Sequence, residues 1–526
     1  MKPALLVHGG HVWTGDEKNA SAEAFLVENG AFTAVGSNKH VESMAAGKSV
    51  ERIDASGSLV IPGITDSHAH LTAYCKESLY LNLSDVTSID IMLDRIKSYV
   101  EAHPEHHWVR ATNYNEAMWE APVIPTMEMI DAAGGGKAVL VSRYCGHVHV
   151  AGRKAIVEGG LWDSADENVI RGADGEPNGI LNEGAAAPII QKITEEHETP
   201  RIIRALALEG CKRLASMGIT AVHACDVPSY GIGEDLAAML DLRDDGTLPL
   251  RVIMYHDTLP NLGIRSGFGD RFVSYAGLKV FVDGNLGGFT SAMREDFSDR
   301  PGCRGQFNHT DEELFEILHE ATLRDIQVLM HMIGDAAADQ AIRACQRVLR
   351  DVGKPRFPFR FNHLIVCAHD QIAPMKELGV VLDVQPIQAF TDRSMAPSRL
   401  GRERMNSAFS FRRLYDTGLI MAGSSDCPIE SPNPWLGIWA AVCRTDNDGS
   451  PLKDAKPDEV LTLDEALAIY TRNPYRAICR GDKVGEIREG AMADFAILEG
   501  NPFSEDKQSL KDTKVRATYL EGRKTF

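Results

Sequence analysis

Apolar and polar positions alternate with different periods in different parts of the chain. Near the start, short apolar runs end at turn residues: Ala4–His8 before Gly9-Gly10, Ala24–Glu28 before Asn29-Gly30, and then Ala31–Val35. Such runs predict strands, and Asn-Gly between two of them predicts a tight hairpin. The C-terminal segment repeats the style, with Asp494–Leu498 before Glu499-Gly500-Asn501-Pro502 and Val515–Leu520 before Glu521-Gly522. The two ends are therefore expected to build one small β-sandwich, from residues 1–60 and 480–526.

Between the ends, short apolar runs alternate with longer stretches of helical period, the pattern of βαβ units in a parallel sheet or barrel. Residues 310–334 are the clearest unit. Thr310 and Glu313 form a capping box, Leu314, Phe315, Ile317, Leu318 and Ala321 mark one helical face, and Ile326–Met330 reads as a strand that leaves His331 at its C-terminal end. A second capping box, Thr462 with Glu465, opens a helix over Leu463–Tyr470 that Asn473-Pro474 is expected to end. The expected fold class is α/β, a (β/α)8 barrel over 61–479. Residues 75–200 are less regular and too long for one barrel loop, so they are expected to form an inserted subdomain over the barrel mouth.

Composition leaves this picture intact and narrows the function. Hydrophobic residues at 44% and charged residues at 25% are ordinary for a soluble globular chain of 526 residues. No apolar run approaches the roughly 18 to 20 residues that span a bilayer, and the apolar start breaks off too early for a secretory segment, so a cytoplasmic location is expected. A net charge of -19 argues against nucleic acid and anionic membranes as partners. The 10 cysteines form no C-x-x-C pair, which argues against a zinc ribbon and for reduced thiols. The expected partner is a small-molecule substrate, and the expected assembly is a homodimer.

The strongest local signal is Pro62-Gly63-Ile64-Thr65-Asp66-Ser67-His68-Ala69-His70. Residues two apart on a strand share a face, so His68 and His70 would present two imidazoles to one metal. Alone, H-x-H is weak evidence, since most such pairs are structural. Further polar residues follow strand-like runs downstream: His331, His363 after Phe359–Asn362, and Asp426 after Leu419–Ser425. Barrel enzymes place their chemistry at such strand ends. Lys279, inside the apolar run Gly277–Val282, must be paired, depressed in pKa or chemically altered. Carbamylation by CO2 would make it an anionic carboxylate able to bridge two metals.

Taken in order, these motifs resemble the amidohydrolase superfamily, and within it the YtcJ-like branch, amidohydrolase family 3, which includes N-substituted formamide deformylases. The marks are Pro62-Gly63 to His70, Lys279 to Gly288, His331-Met332-Ile333-Gly334-Asp335, Asn362-His363, Val384-Gln385-Pro386, Ser425-Asp426-Cys427-Pro428 and Gly485 to Phe495. The resemblance implies that His68, His70 and Asp426 bind one metal, that His331 and His363 bind a second, and that carbamylated Lys279 bridges them. Two zinc ions are the expected cofactors, with manganese, cobalt or iron also compatible with the ligands. Asp335 is expected to help fix the loop carrying His331. The chain departs from the family in Asn362-His363, in Asp283-Gly284-Asn285-Leu286-Gly287-Gly288 and in Arg153-Lys154.

The expected reaction is hydrolysis of a C–N bond of amide type, with Asp426 as the proton acceptor and His147 assisting at the carbonyl oxygen. An esterase or lactonase, a mononuclear-metal deaminase and a non-catalytic scaffold are the alternatives. Lys279 favours two metals over the mononuclear deaminase. Tyr114, Trp119 and Trp435 are candidates for an apolar pocket, or else core, and Arg143 for a substrate carboxylate or an ion pair.

Overall fold

The computed structural model describes residues 3–116, 119–143, 148–226, 236–446, 449–450 and 458–526. They form two compact units, one of residues 1–74 and 208–526, the other of residues 75–207.

The first unit contains three sheets. The largest has eight strands, which we number along the chain: β1 (Ile64–Ala69), β2 (Ile219–Ala224), β3 (Arg251–His256), β4 (Val273–Phe281), β5 (Gln327–Met332), β6 (Arg360–His363), β7 (Val381–Val384) and β8 (Met421–Gly423). Each pairs in parallel with the next in sequence, so the sheet order is the chain order. The ends of the sheet nearly close on each other. Ser67 Oγ in β1 donates to Gly423 O of β8 at 3.0 Å, and Asp426 N just beyond β8 donates to His68 O at 2.8 Å. The strands are buried along nearly their whole length, as a barrel wrapped by helices requires.

The helix predicted from the first capping box is present as α1 (Asp311–Leu323), with both reciprocal bonds between Thr310 and Glu313 formed. Strand β5 follows and runs two residues further than its apolar run suggests, through His331 to Met332. Helix α2 (Asp335–Asp351) then packs its alanine-rich face inward. The second capping box opens α3 (Leu463–Tyr470), as expected. Its end differs from the expectation. The chain bends at Thr471, where φ is -124° and ψ is -81°, and Asn473-Pro474 lies inside the next short helix, α4 (Arg472–Ala477). Pro474 sits in the first turn of α4, where its missing N–H costs no helical bond. The proline therefore begins a helix rather than ending one.

The other two sheets of this unit come from both ends of the chain. One has four strands, ordered Ala31–Gly36, Ala24–Glu28, Ala4–His8 and Val50–Asp54. The second has six and joins Phe495–Leu498 and Val515–Leu520 to Leu59–Pro62 and His11–Trp13. Phe25, Phe32, Phe495 and Tyr519 fill the space between them, with Phe25 edge-on to Phe32 and Phe495 and Phe495 stacked on Tyr519 at 4.5 Å. The hairpin turn has Asn29 at φ 52° and Gly30 at φ 83°, the left-handed conformation that selected Asn-Gly.

The second unit has its own six-stranded sheet, in which Trp108–Tyr114 and Ala138–Arg143 pair in parallel at the centre. Tyr114 and Trp119 are buried in its core, and Trp119 Nε1 donates to Val86 O at 2.8 Å. No described helix is long and apolar enough to cross a membrane.

Candidate metal centre

The barrel gathers the polar residues of the sequence motifs at one end. His68 lies in β1 and His70 just beyond it, Lys279 lies in β4, His331 is the penultimate residue of β5, His363 is the last of β6, and Asp426 follows β8. Register fixes their neighbours: Phe281 sits beside His331, and Met332 beside His363. Since all eight strands run the same way, these residues share the C-terminal rim, the face on which barrel enzymes carry their sites.

His68, His70 and Asp426 converge, with one ligand atom from each lying within 4.8 Å of the others. Asp426 Oδ1 is 3.0 Å from His68 Nε2 and 3.4 Å from His70 Nε2, yet completes a hydrogen bond with neither. Buried and unsatisfied, that oxygen fits a cation held between the three side chains, and so do two imidazoles and a carboxylate as donor types. Lys279 Nζ lies 3.2 Å from His68 Nε2 and 4.8 Å above the Phe281 ring. The rings of His331 and His363 are 4.4 Å apart, and that of His363 is 5.5 Å from His68. His331 Nε2 lies 3.0 Å from Gly284 O, a contact that favours the tautomer with its proton on Nε2 and its lone pair on Nδ1.

Burial sets the charge state. It pulls His68 down to about 3 and His331 to about 4, with the neighbouring Lys279 charge acting in the same direction, and it takes His363 well below the usual imidazole range. These imidazoles are therefore neutral at pH 7, the form that binds a metal. Burial alone would raise Asp426, but the imidazoles of His68 and His70 outweigh it and hold the carboxyl well below its ordinary value. Burial also lowers Lys279, which is 2% exposed. A lysine so placed loses its proton more readily than one in water.

Two carboxylates that sequence reasoning left without a role hold this arrangement in place. Asp66 Oδ1 accepts His68 N at 3.2 Å and Ser425 N at 3.0 Å, and Ser425 Oγ donates to Asp66 Oδ2, so one side chain ties the His68 strand to the segment carrying Asp426. Asp283 accepts the backbone N–H groups of Ala292, Ile333 and Gly334, at 2.9, 3.0 and 2.9 Å. This residue carries most of the bonds that anchor the loop after His331, and Asp335 adds one from the start of α2. Asp335 accepts the N–H of Arg294 at 2.9 Å and begins α2. The apolar residues around Asp283 hide its role in the sequence; its position just past a strand is the one usable signal. His363 and Asp426 have φ of 73° and 63°, conformations that non-glycine residues adopt at a cost of order 1–3 kcal/mol and that gather at functional sites.

Beneath the centre lies a polar layer absent from any motif. Arg360 and Asp383 are fully buried and paired at 2.7 Å, and Arg360 also donates to His223 Nδ1, Tyr255 OH and Ser67 O. Of the remaining candidates, His147 lies outside the described residues. Trp435 is 1% exposed and belongs to the core. Arg143 pairs with Glu116 at 2.9 Å.

Comparison with known proteins places these features in a lineage. Residues 51–526 match the amidohydrolase family. A protein of Bacillus subtilis (strain 168) named YtcJ, described as an amidohydrolase candidate, is 28% identical over 98% of both chains. The N-substituted formamide deformylase of Arthrobacter pascens is 27% identical over 98% of this chain and 97% of its own. Among solved structures, an uncharacterised metal-dependent hydrolase from Pyrococcus horikoshii OT3 superposes with a TM-score of 0.80 at 25% identity, covering 96% of this chain and 99% of that one.

Proposed function

The chain belongs to the amidohydrolase family, and from that premise we propose that this metal-dependent hydrolase cleaves a C–N bond of amide type in a small molecule. The observation that carries the reading is the convergence of His68, His70 and Asp426 on one point at the barrel rim. His68, His70 and Asp426 would hold one divalent ion, zinc being the expected metal, and His331 and His363 a second. Bound there, the ions supply a water acidified towards neutrality and a Lewis acid for the carbonyl oxygen.

The protein's own groups do the rest. Lys279, buried and shifted towards the neutral amine, is suited to react with CO2: in the neutral form its nitrogen forms the new N–C bond, one proton leaves to solvent, and an anionic carbamate takes the place of the amine. An ammonium left there would instead set a positive charge 3.2 Å from His68 Nε2 and repel any cation held by that imidazole. Asp426, held ionised, accepts a proton from the attacking water and returns it to the departing nitrogen. His147 is proposed to donate a hydrogen bond to the carbonyl oxygen as negative charge develops there. The A. pascens relative is named for an N-substituted formamide, which puts N-formyl compounds first among the substrates to test.

The test is a hydrolysis panel of N-formyl, N-acyl and cyclic amides with esters and lactones, run beside metal analysis. Amide turnover that chelation abolishes and zinc restores is expected. Turnover of esters or lactones alone would replace the C–N reading, and silence of metal-loaded protein across the whole panel would count against hydrolysis by this site.

A further inference from the structure

The Val384-Gln385-Pro386 motif takes no part in the ligation described above, yet Gln385 is buried at the barrel rim, 2% exposed and one residue past the end of β7. Its side-chain Nε2 donates in two directions, to Asn362 Oδ1 in β6 at 3.1 Å and to Ser424 Oγ just past β8 at 2.8 Å. Asn362 immediately precedes His363, and Ser424 stands two residues before Asp426. We infer that Gln385 is a positioning residue: its amide ties three strand ends together and so holds His363 and Asp426 in the backbone conformations that the metal centre requires. The inference rests on the reading of those two residues as ligands.

Both residues need such a hold. His363 and Asp426 have φ of 73° and 63°, and Leu364 follows His363 at 46°. Side chains of this size enter the left-handed region only where their surroundings impose it. Asp426 has further restraints, since its N–H donates to His68 O at 2.8 Å and Asp66 accepts from Ser425 N at 3.0 Å. At His363 the turn is fixed by Leu364 N, which donates to Met332 O at 2.9 Å, and by Asn362, which Gln385 grips. His363 should therefore respond more strongly than Asp426 when the amide is lost. The orientation of the amide is set as well. Ser424 Oγ gives its own proton to Val384 O at 3.3 Å, so towards Gln385 it acts as acceptor.

Stability does not account for this layer. Gln385 Oε1 and Asn362 Nδ2 are buried and find no partner among the described residues, so each amide has left water with part of its bonding capacity unmet. Apolar side chains of similar shape would avoid that cost, because replacing both partners of a buried hydrogen bond in this way is close to neutral or stabilising. Two amides in a layer where hydrocarbon would serve stability better mark a place where the sequence answers to the geometry of a site.

The test uses the full chain as Gln385→Met, which keeps the side-chain length and removes the amide, and as the double variant Asn362→Leu with Gln385→Met, which leaves neither amide behind. The double variant is expected to melt no lower than wild type. Both are expected to bind zinc about 10- to 100-fold more weakly in competition with a chelator, the usual loss when a partner behind a metal ligand is removed. In metal-free protein labelled with 13C at histidine Cε1, the His363 and His223 NMR signals are identified by their loss in His363→Gln and His223→Gln. The His363 signal is expected to be single in wild type and broadened or doubled in Gln385→Met, while that of His223, bonded to Arg360 in the layer below, stays unchanged. Wild-type zinc affinity in Gln385→Met, or an unaltered His363 signal, overturns the inference. So does a double variant whose melting temperature falls together with its zinc affinity, since the amides would then only support the fold. Absence of zinc binding by wild type would remove the reading of these residues as ligands, and the inference with it. Failure of zinc-loaded wild type to hydrolyse any amide would count against the proposed reaction alone, because neither readout here depends on turnover.

Discussion

Asp283 Oδ2 accepts the backbone N–H of Gly334 at 2.9 Å, joining the residue two past the end of β4 to the loop that leaves β5 after His331. Through its other bonds, to Ile333 and Ala292, this one buried carboxylate sets where the His331 strand ends. Removing it in Asp283→Ala leaves three backbone donors without acceptors, each costing about 1–3 kcal/mol when buried. The expected order of urea midpoints is wild type, then Asp283→Asn, then Asp283→Ala, with metal content falling in the same order. Equal midpoints for all three would show that the loop is held elsewhere.

Gly334 answers Asp283 with a steric demand. A Cβ there would stand 1.9 Å from Ala292 O and 2.5 Å from its carbonyl carbon, both backbone atoms that cannot rotate away. Gly334→Ala is expected to cost about 1–3 kcal/mol, as overpacking does, and to displace His331. Thermal melts and metal titration measure both effects; a wild-type melt with full metal content would contradict the close approach.

Lys279 is expected to be needed for the metals themselves. Lys279→Ala should lose metal and turnover together, and formate or acetate should restore part of each by replacing the missing carboxylate. Two equivalents of metal retained in Lys279→Ala, measured by elemental analysis, would remove it from the bridging role.

Asp426→Asn separates proton transfer from ligation. Its amide oxygen keeps a ligand in place, but the group no longer accepts a proton, so kcat is expected to fall about 10²- to 10⁴-fold with metal content largely kept. Unchanged kcat would take Asp426 out of the chemistry.

The Arg360–Asp383 pair beneath the site predicts strong non-additivity. Both side chains have 0% exposure, so Arg360→Leu strands a buried charge at a cost of about 3–5 kcal/mol. Asp383→Leu should behave alike, and the double variant should be less destabilised than the sum of the two. Additive losses in urea denaturation would mean that the two residues act independently.

Much of this was legible along the chain. The strands near both termini, the Asn29-Gly30 hairpin and both capping boxes are local, each decided by residues within a few positions of one another. The start of helix α3 is legible because Thr462 and Glu465 cap each other three residues apart, although Glu465 also holds the distant Arg412. Pro474 is ambiguous along the chain because proline at a helix end and proline in the first turn of the next helix look alike in sequence; only the bend at Thr471 tells them apart. The candidate ligands are readable for a related reason: all but Lys279 end or follow an apolar run, and a parallel barrel carries such positions to one rim.

The sequence by itself therefore determined the βα periodicity, the residue types available to a metal and their places at strand ends, since these depend on interactions a few residues long. Only the tertiary structure decided that His68, His70 and Asp426 meet within 4.8 Å, that Asp283 joins Asp335 in securing the loop after His331, and that Arg360 finds Asp383 in the barrel interior. Those relationships join strands far apart in the chain. Their energy lies in burial and in hydrogen bonds that exist only once the barrel has closed, so no local pattern encodes them.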